Sequence, residues 1–391
     1  MNTHTLSCAD SHARRPRAIV IGGSLGGLFA GNMLRHVGWD VDIYERSAGD
    51  LDSRGGGIVL QPDVVEVFRR IGVDIGATAL GVRSAHRTVL NPDGTIRIKR
   101  RAPQTQTSWS LIYTTLKSSF GLGHYHQGKV LSHVEQDEGA RTVTAIFEDG
   151  SRETGDLLVG ADGGNSTVRR QFWPDQLPAY AGYLAWRGLV PEASMPESTR
   201  EALHGDFGFA SNTGSHILGY LVPGENNNVW PGHRFYNWVW YRVAAPEMLA
   251  GAMTDREGKR RAYSVPEGML ATVWIQHLRE EATALLPPAF RHVVQVTREP
   301  FVQAIRDLAV DRMTAGRVVI LGDAASIPRP HTAASTLKAA ANALALADAL
   351  QAHPDDIDGA LAQWEPGQVA FGKHLMRQGI EAGKVLLFHH P

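Results

Sequence analysis

The order strand, glycine turn, helix, strand, acid fills the first 45 residues and leaves few folds open to this chain. Arg17–Ile21 is an apolar run with strand character. It turns through Gly22-Gly23-Ser24-Leu25-Gly26-Gly27 into a periodic apolar segment that ends before Gly38. Glycines in such a turn let the backbone approach a pyrophosphate, which then rests on unpaired N–H groups at the positive end of the helix dipole. Ser24 stands where the second glycine of G-x-G-x-x-G belongs, and it is small enough to keep that approach open. Val41-Asp42-Ile43-Tyr44 reads as the next strand and delivers Glu45, 23 residues after Gly22. A separation of about 20 suits a carboxylate that bonds a ribose hydroxyl of the same nucleotide.

At 391 residues the chain suits two interleaved domains, or one large domain with an insertion. Its 39 Lys and Arg balance 40 Asp and Glu, a net charge of −1, so no whole-chain field draws nucleic acid or an anionic membrane. Cys8, the single cysteine, excludes an internal disulfide framework and a cysteine-based metal cluster. The 17 histidines form no H-E-x-x-H or comparable pattern, so no metal site is expected. No segment approaches the run of about 18 apolar residues that crosses a bilayer. Residues 1–16 are polar, without the apolar core of a signal peptide, and read as a disordered leader on a cytoplasmic chain.

Further along, Arg54-Gly55-Gly56-Gly57 reads as a glycine loop that approaches something flat or bulky, and a helix over 63–71 is expected with Asp63 near its N-cap. A hairpin over 85–98 turns at Asn91-Pro92-Asp93-Gly94, and 112–120 reads as a helix. Thr142–Phe147 alternates as a strand, and 155–160 reads as one buried strand that delivers Ala161-Asp162-Gly163-Gly164 and, through Asn165 to Val168, Arg169. An acid and glycines past a strand and before a helix occupy the usual ligand position in open α/β sheets. Between 178 and about 280 the chain becomes aromatic and strand-like. In Trp238-Val239-Trp240-Tyr241 the two tryptophans share one face of a strand, and Val239 and Tyr241 share the other. Residues 317–321 form another buried strand ending at Gly322-Asp323, and 333–350 reads as an alanine-rich helix.

Three stations, Gly22 to Gly27 with Glu45, Gly160-Ala161-Asp162-Gly163 through Arg169, and Gly322-Asp323-Ala324-Ala325 with Pro330, together resemble the FAD-dependent aromatic hydroxylases of the para-hydroxybenzoate hydroxylase type. The resemblance spans nearly the whole chain. It implies an α/β fold: a Rossmann-like FAD-binding domain (17–80, 101–177 and 285–391) interleaved with a mostly antiparallel β-sheet substrate domain (81–100 and 178–284), with C-terminal helices. It gives the pyrophosphate to Gly22, Gly23, Ser24, Leu25 and Gly27, and the adenosine ribose to Glu45 and Arg46. A ribityl hydroxyl falls to Gly322-Asp323, and Asp162-Gly163 lies where both FAD and NAD(P)H are handled. Gly57, Leu131, Pro330, Ala333, Ala334 and Ser335 complete the implied cofactor set. The chain departs from the family's P-x-G-x-x-G-x-N pattern, since Thr332, Ser335 and Leu337 replace both glycines and the asparagine. It also lacks an arginine near Tyr113 that many relatives carry.

The implied reaction hydroxylates an electron-rich aromatic ring with NAD(P)H (NADH favoured) and O2, the oxygen being activated at the flavin C4a position. Tyr180-Ala181-Gly182-Tyr183-Leu184-Ala185-Trp186-Arg187-Gly188 and Pro328-Arg329-Pro330-His331 with Lys338-Ala339 are most similar to family members that hydroxylate 2,6-dihydroxypyridine in nicotine degradation. Rings of the 6-hydroxynicotinate, salicylate and urate type are alternatives, and a homodimer is compatible with the resemblance. The flavin carries the hard chemistry, so the protein must position a ring, exclude water and favour its phenolate-like form. A histidine of near-neutral pKa suits that work. His331 is the first candidate and His216 the second, while Arg187 and Tyr220 are placed to anchor an anionic oxygen. Arg187 closing a structural ion pair is the competing reading. A non-catalytic FAD-binding redox sensor and an NAD-dependent dehydrogenase are alternatives of other classes, although the latter has no need of a Gly322-Asp323 station.

Overall fold

The computed structural model describes residues 14–51, 56–76, 78–203 and 205–388. Residues 1–13, with Cys8, and Arg54 and Gly55 of the glycine loop lie outside them. The chain opens with β1 (Arg17–Ile21), α1 (Leu25–His36), β2 (Asp40–Glu45), β3 (Gly57–Val59), α2 (Pro62–Arg70), β4 (Val82–Leu90), β5 (Ile96–Ser108) and α3 (Trp109–Phe120). Next come β6 (Tyr125–Gln127), β7 (Leu131–Asp137), β8 (Thr142–Phe147), β9 (Arg152–Gly155), β10 (Leu157–Gly160), α4 (Thr167–Phe172) and β11 (Ala179–Pro191). The middle holds α5 (Glu197–Leu203), β12 (Asp206–Asn212), β13 (Ser215–Val222), β14 (Phe235–Val243), α6 (Pro246–Ala252), β15 (Ser264–Val265), α7 (Thr272–Leu285) and α8 (Pro288–Val296). The chain closes with β16 (Phe301–Ala309), β17 (Thr314–Ala315), β18 (Val318–Ile320), β19 (Ser326–Ile327), α9 (Ser335–Ala352) and α10 (Ile357–Gly383).

Among the described residues these strands form three sheets. The first runs β17-β18-β10-β1-β2-β6 and is parallel except at β17. Its central strands are buried on both faces, as continuous apolar runs in a parallel sheet require. Register sets where these strands end. Ile21 pairs with both Tyr44 and Gly160, and Gly160 pairs with Ile320, so β2, β1, β10 and β18 end level with one another. Three segments far apart in sequence leave the sheet side by side at its carboxyl edge, where open α/β sheets bind ligands. Helices α1, α2, α9 and α10 and the small sheet β7-β8-β9 share one apolar core with these strands.

The large sheet runs β15-β16-β11-β14-β13-β12-β4-β5-β3, with β19 paired to β16, and is antiparallel except between β12 and β4. Strand alternation gives it two unlike faces. Trp186, Trp238, Trp240, Ile217 and Leu221 point into a core covered by residues of α5 to α8. Tyr183, Ala185, Val239 and Tyr241 point the other way, toward Leu387 beyond α10. The face-sharing expected of Trp238 and Trp240 is therefore present.

Several boundaries differ from those read in the sequence. The large sheet also takes in residues 57–59, 101–108 and 301–309, all expected on the nucleotide side, because β3 and β4 pair with β5 and β16 pairs with β11. The strand expected over 155–160 breaks at Asp156, whose carboxylate accepts a hydrogen bond from the Arg17 N–H at 2.7 Å. Helix α2 starts at Pro62 with Gln61, not Asp63, at its N-cap. Proline fits that first position because its missing N–H is one the helix leaves unpaired anyway. Helix α9 starts at Ser335 rather than 333, because Ala333 is left-handed with φ +51°. No helix of the described residues is long and apolar enough to cross a membrane.

Candidate active site

The glycine turn after β1 is built for close approach. Gly22 has φ +106°, and a Cβ there would lie 2.4 Å from the Ala161 carbonyl oxygen; a Cβ on Gly27 would lie 1.8 Å from the Gly22 oxygen. Ser24 is the N-cap of α1, yet its side chain makes no capping bond, and the first turn holds no acid. The first α1 amides thus have no side-chain cap from Ser24 and no acid of their own turn, which fits a pyrophosphate. Buried Glu45 accepts hydrogen bonds from the N–H groups of Gly23 (2.8 Å) and Ser47 (2.9 Å). It braces the turn, and each of its oxygens keeps a second lone pair for a hydroxyl. Arg46 beside it is exposed, and Leu131 is buried at the start of β7. Tyr125, which the sequence reading missed, donates its hydroxyl to the Gly23 carbonyl at 2.8 Å. The cation near Tyr113 is Lys117, one turn along α3, bonded to Asp50 at 2.8 Å.

The other two stations close on the first. Asp162 accepts the Thr167 and Val168 N–H groups on Oδ2, at 2.6 and 3.2 Å, while its buried Oδ1 has no hydrogen-bond partner. Burial holds this carboxyl above the usual carboxylate range. Gly163, at φ +80°, has no atom within 4 Å of a built Cβ, so one side is open. Arg169 is 1% exposed and donates to the carbonyls of Gly164 (2.5 Å) and Ala324 (2.8 Å), tying the second station to the third. Gly322, at φ +61°, lies against Ala339 and Gly26, which brings the third station to the start of α1. Asp323 follows with its side chain 47% exposed. Pro330–Thr332 forms a single tight turn, the Thr332 hydroxyl folds back onto the Arg329 carbonyl at 2.9 Å, and Ala334 caps α9. The first turn of α9, from Ser335, has no side-chain cap and no acid. These features fit one extended dinucleotide laid from α1 to α9.

Facing that cradle, the second face of the large sheet carries several polar groups. Arg187 Nε is buried without a hydrogen-bond partner, and among the described residues Arg187 makes no ion pair. Its positive charge acts on Tyr220 and Tyr241, whose phenols burial nevertheless keeps protonated. The glycine loop meets this face: Gly57 N–H donates to Asn237 Oδ1 at 2.8 Å, and a Cβ on Gly57 would lie 2.5 Å from the Tyr220 ring. The flat surface that loop approaches is therefore Tyr220. His216 lies parallel to Tyr241 at 6.2 Å and bonds Ser211 Oγ at 2.7 Å.

His331 packs edge-on against Tyr241 at 4.4 Å, and its Nε2 shares a 2.9 Å hydrogen bond with the Tyr183 hydroxyl. Its Nδ1 is buried and unpartnered. Arg329, paired with Asp307 at 2.7 Å, lies over the Tyr183 ring. His331 departs from the near-neutral pKa that suits a base. Burial first, then the charges of His216 and Arg329, push its pKa down to about 3, so the ring is neutral and acts through hydrogen bonds. Asn237 and Tyr183 are not among the site residues expected from the sequence. The signal for Asn237 is its alternation with Val239 and Tyr241, which places an amide on an otherwise aromatic face.

The uncapped N-termini of α1 and α9, the glycine turns and an aromatic face carrying Arg187 fit a protein that holds an extended dinucleotide beside a ring. Comparison with known proteins agrees. A family model described as FAD binding domain-like matches residues 180–307. The 2,6-dihydroxypyridine 3-monooxygenase of Paenarthrobacter nicotinovorans is 35% identical over 91% of this chain and 88% of that protein. The 6-hydroxynicotinate 3-monooxygenase of Pseudomonas fluorescens is 27% identical over 87% of this chain and 83% of its own length. The solved structure of 2,6-dihydroxypyridine-3-hydroxylase from Arthrobacter nicotinovorans matches with a TM-score of 0.89 at 33% identity, covering 95% of this chain and 93% of that one. The chain belongs to the FAD-dependent aromatic-ring monooxygenases.

This geometry has two measurable consequences. Ala333 in the left-handed region costs about 1–2 kcal/mol, whereas glycine adds about 0.5–1 kcal/mol of chain entropy. Ala333→Gly should therefore stabilise the protein by about 0.5 kcal/mol, read as a higher urea midpoint. For His331, the unfolded chain takes up a proton as pH falls through about 6.5 while the folded chain resists until about 3. Stability is lost across that window. In His331→Gln the fall in unfolding midpoint from about pH 6.5 to pH 4 should be shallower than in the wild type.

Proposed function

We propose that this protein uses NAD(P)H and O2 to hydroxylate a hydroxylated pyridine, with 2,6-dihydroxypyridine and hydroxylation at C3 the best-supported substrate and position. The observation that carries the substrate reading is the Arg187 guanidinium, without an ion pair among the described residues, beside Tyr220 and Asn237 on the face opposite α9. A dihydroxypyridine ionises readily, and its oxygen then becomes a natural partner for a buried cation. The relative that acts on this ring is 35% identical nearly end to end. Overall, the ring C–H becomes C–OH, NAD(P)H is oxidised, and the second oxygen atom leaves as water.

FAD bound here would supply hydride acceptance and oxygen activation. Gly22, Gly23, Ser24, Leu25 and Gly27 hold its pyrophosphate, with Glu45 and Arg46 at the adenosine ribose and Leu131 nearby. Gly322 and Asp323 take a ribityl hydroxyl, and Pro330, Ala333, Ala334 and Ser335 present the α9 amides to the ring system. Asp162 and Gly163 serve the open side where the nicotinamide arrives, with NADH favoured. Arg187 holds the substrate oxygen as an anion, which raises electron density on the ring carbon. Neutral His331, fixed through Tyr183, offers Nδ1 as a hydrogen-bonding group that orients the ring, and His216 braces Tyr241. Tyr220 and Gly57 close the ring plane. Excluding water strengthens each of these interactions.

A 6-hydroxynicotinate-type ring is the second reading, and the same guanidinium favours it, because a carboxylate pairs well with arginine. Oxidation of NADH and of NADPH by FAD-loaded protein, alone and with each ring, tests both. The expected result is faster oxidation with 2,6-dihydroxypyridine and a product heavier by one oxygen. Stimulation only by a carboxylated ring would replace the first reading with the second, and no stimulation by any ring would leave only a flavin-binding sensor. A charge-assisted hydrogen bond is worth about 1.5–3 kcal/mol. Arg187→Met should accordingly lower kcat/KM for the preferred ring about ten- to a hundred-fold, measured as stimulated oxidation.

A further inference from the structure

Lys338 is the most thoroughly buried charge in the cofactor cradle. Its side chain is 0% exposed, yet it carries an ammonium group in the first turn of α9. Removing such a group from water costs several kcal/mol unless it is paired and hydrogen-bonded. Its Nζ donates to Asp323 Oδ1 at 2.8 Å and to the Ser326 carbonyl. One turn further along the same helix, Asn342 Oδ1 accepts the Gly322 N–H at 3.2 Å. Asn342 is itself held, donating from Nδ2 to Gln368 of α10 at 2.8 Å, while its carbonyl accepts Trp364 Nε1 at 3.1 Å. Residues four apart on α9 thus clamp two consecutive residues of the third station from below.

The clamp is asymmetric in a useful way. Lys338 takes only Oδ1 of Asp323, and Oδ2 makes no bond among the described residues, on a side chain that is 47% exposed. A carboxylate with one oxygen fixed from inside presents the other in a single orientation. We propose that Lys338 is a positioning residue for the cofactor, holding Asp323 oriented so that Oδ2 accepts a hydroxyl of the FAD ribityl chain, with Asn342 fixing the turn that carries it. This rests on the assignment of Asp323 to the ribityl chain. An apolar residue would fill the same space at lower desolvation cost, so a fully buried lysine here is explained by what it does to Asp323. Burial lowers the Lys338 pKa and Asp323 opposes that shift, in keeping with a pair that depends on its partner.

The test is FAD titration into the apoprotein, followed by flavin fluorescence, together with urea unfolding of the same apoproteins. Lys338→Met is expected to raise the FAD Kd about ten- to a hundred-fold. Its urea midpoint should be unchanged or higher, because the freed Asp323 carboxylate is half exposed and can be hydrated. Asp323→Ala should weaken FAD by a similar factor, and adding Lys338→Met to it should weaken binding little further. A fall in apoprotein stability with an unchanged Kd would make Lys338 merely structural and overturn the proposal. If Asp323→Ala leaves the Kd unchanged, the ribityl assignment itself is wrong. If Asp323→Ala weakens FAD and Lys338→Met does not, only the positioning role fails.

Discussion

The level ending of four neighbouring parallel strands is the constraint on which the rest of the molecule depends. Because Ile21, Tyr44, Gly160 and Ile320 stand in register, the chain leaves the sheet at four adjacent points although the first and last are 299 residues apart in sequence. A slip of one residue in β10 or β18 would turn buried side chains to the opposite face and separate the stations. Glycine makes the convergence tight: Gly22 abuts Ala161, and Gly322 approaches Gly26. Arg169, buried and bonded to two carbonyls, keeps the second and third stations together where a helix or strand cannot.

The second sheet answers a different requirement. A ring must be enclosed and oriented, and its ionised form favoured, without leaving charges that cost more than they return. Most of the face is aromatic and aliphatic, with phenols that burial keeps protonated. Arg187, without an ion pair among the described residues, supplies positive charge, and burial lowers the His331 pKa. Arg329 is charged but already bound to Asp307, so it shapes the site and does not compete for an anion.

Much of this is legible in the sequence because it is local. Strand, turn and helix at 17–36 follow from an apolar run, glycines and a 3.6-residue period, and the faces of Trp238 and Trp240 follow from strand alternation. The features that escape the sequence depend on distant partners. Nothing near Lys338 announces that its ammonium is buried, since the cause is Asp323 fifteen residues away folding beneath α9. The His331 pKa is likewise set by burial against Tyr183 and Tyr241, from other strands. The glycine loop reads as lying close to something flat, but its contact with Tyr220 and Asn237 comes only from the pairing of β3 with β5. Propensity alone starts α9 two residues early because an alanine at 333 looks helical, whereas the backbone there is left-handed.

If the cradle holds FAD against a ring that the aromatic face shields from water, the oxygen added to that ring comes from molecular oxygen. Turnover of FAD-loaded protein with 2,6-dihydroxypyridine under ¹⁸O2, with mass analysis of the product, tests it most directly. One ¹⁸O atom per hydroxylated product is the predicted result. Product oxygen drawn from water, or hydrogen peroxide formed without a hydroxylated ring, would contradict it.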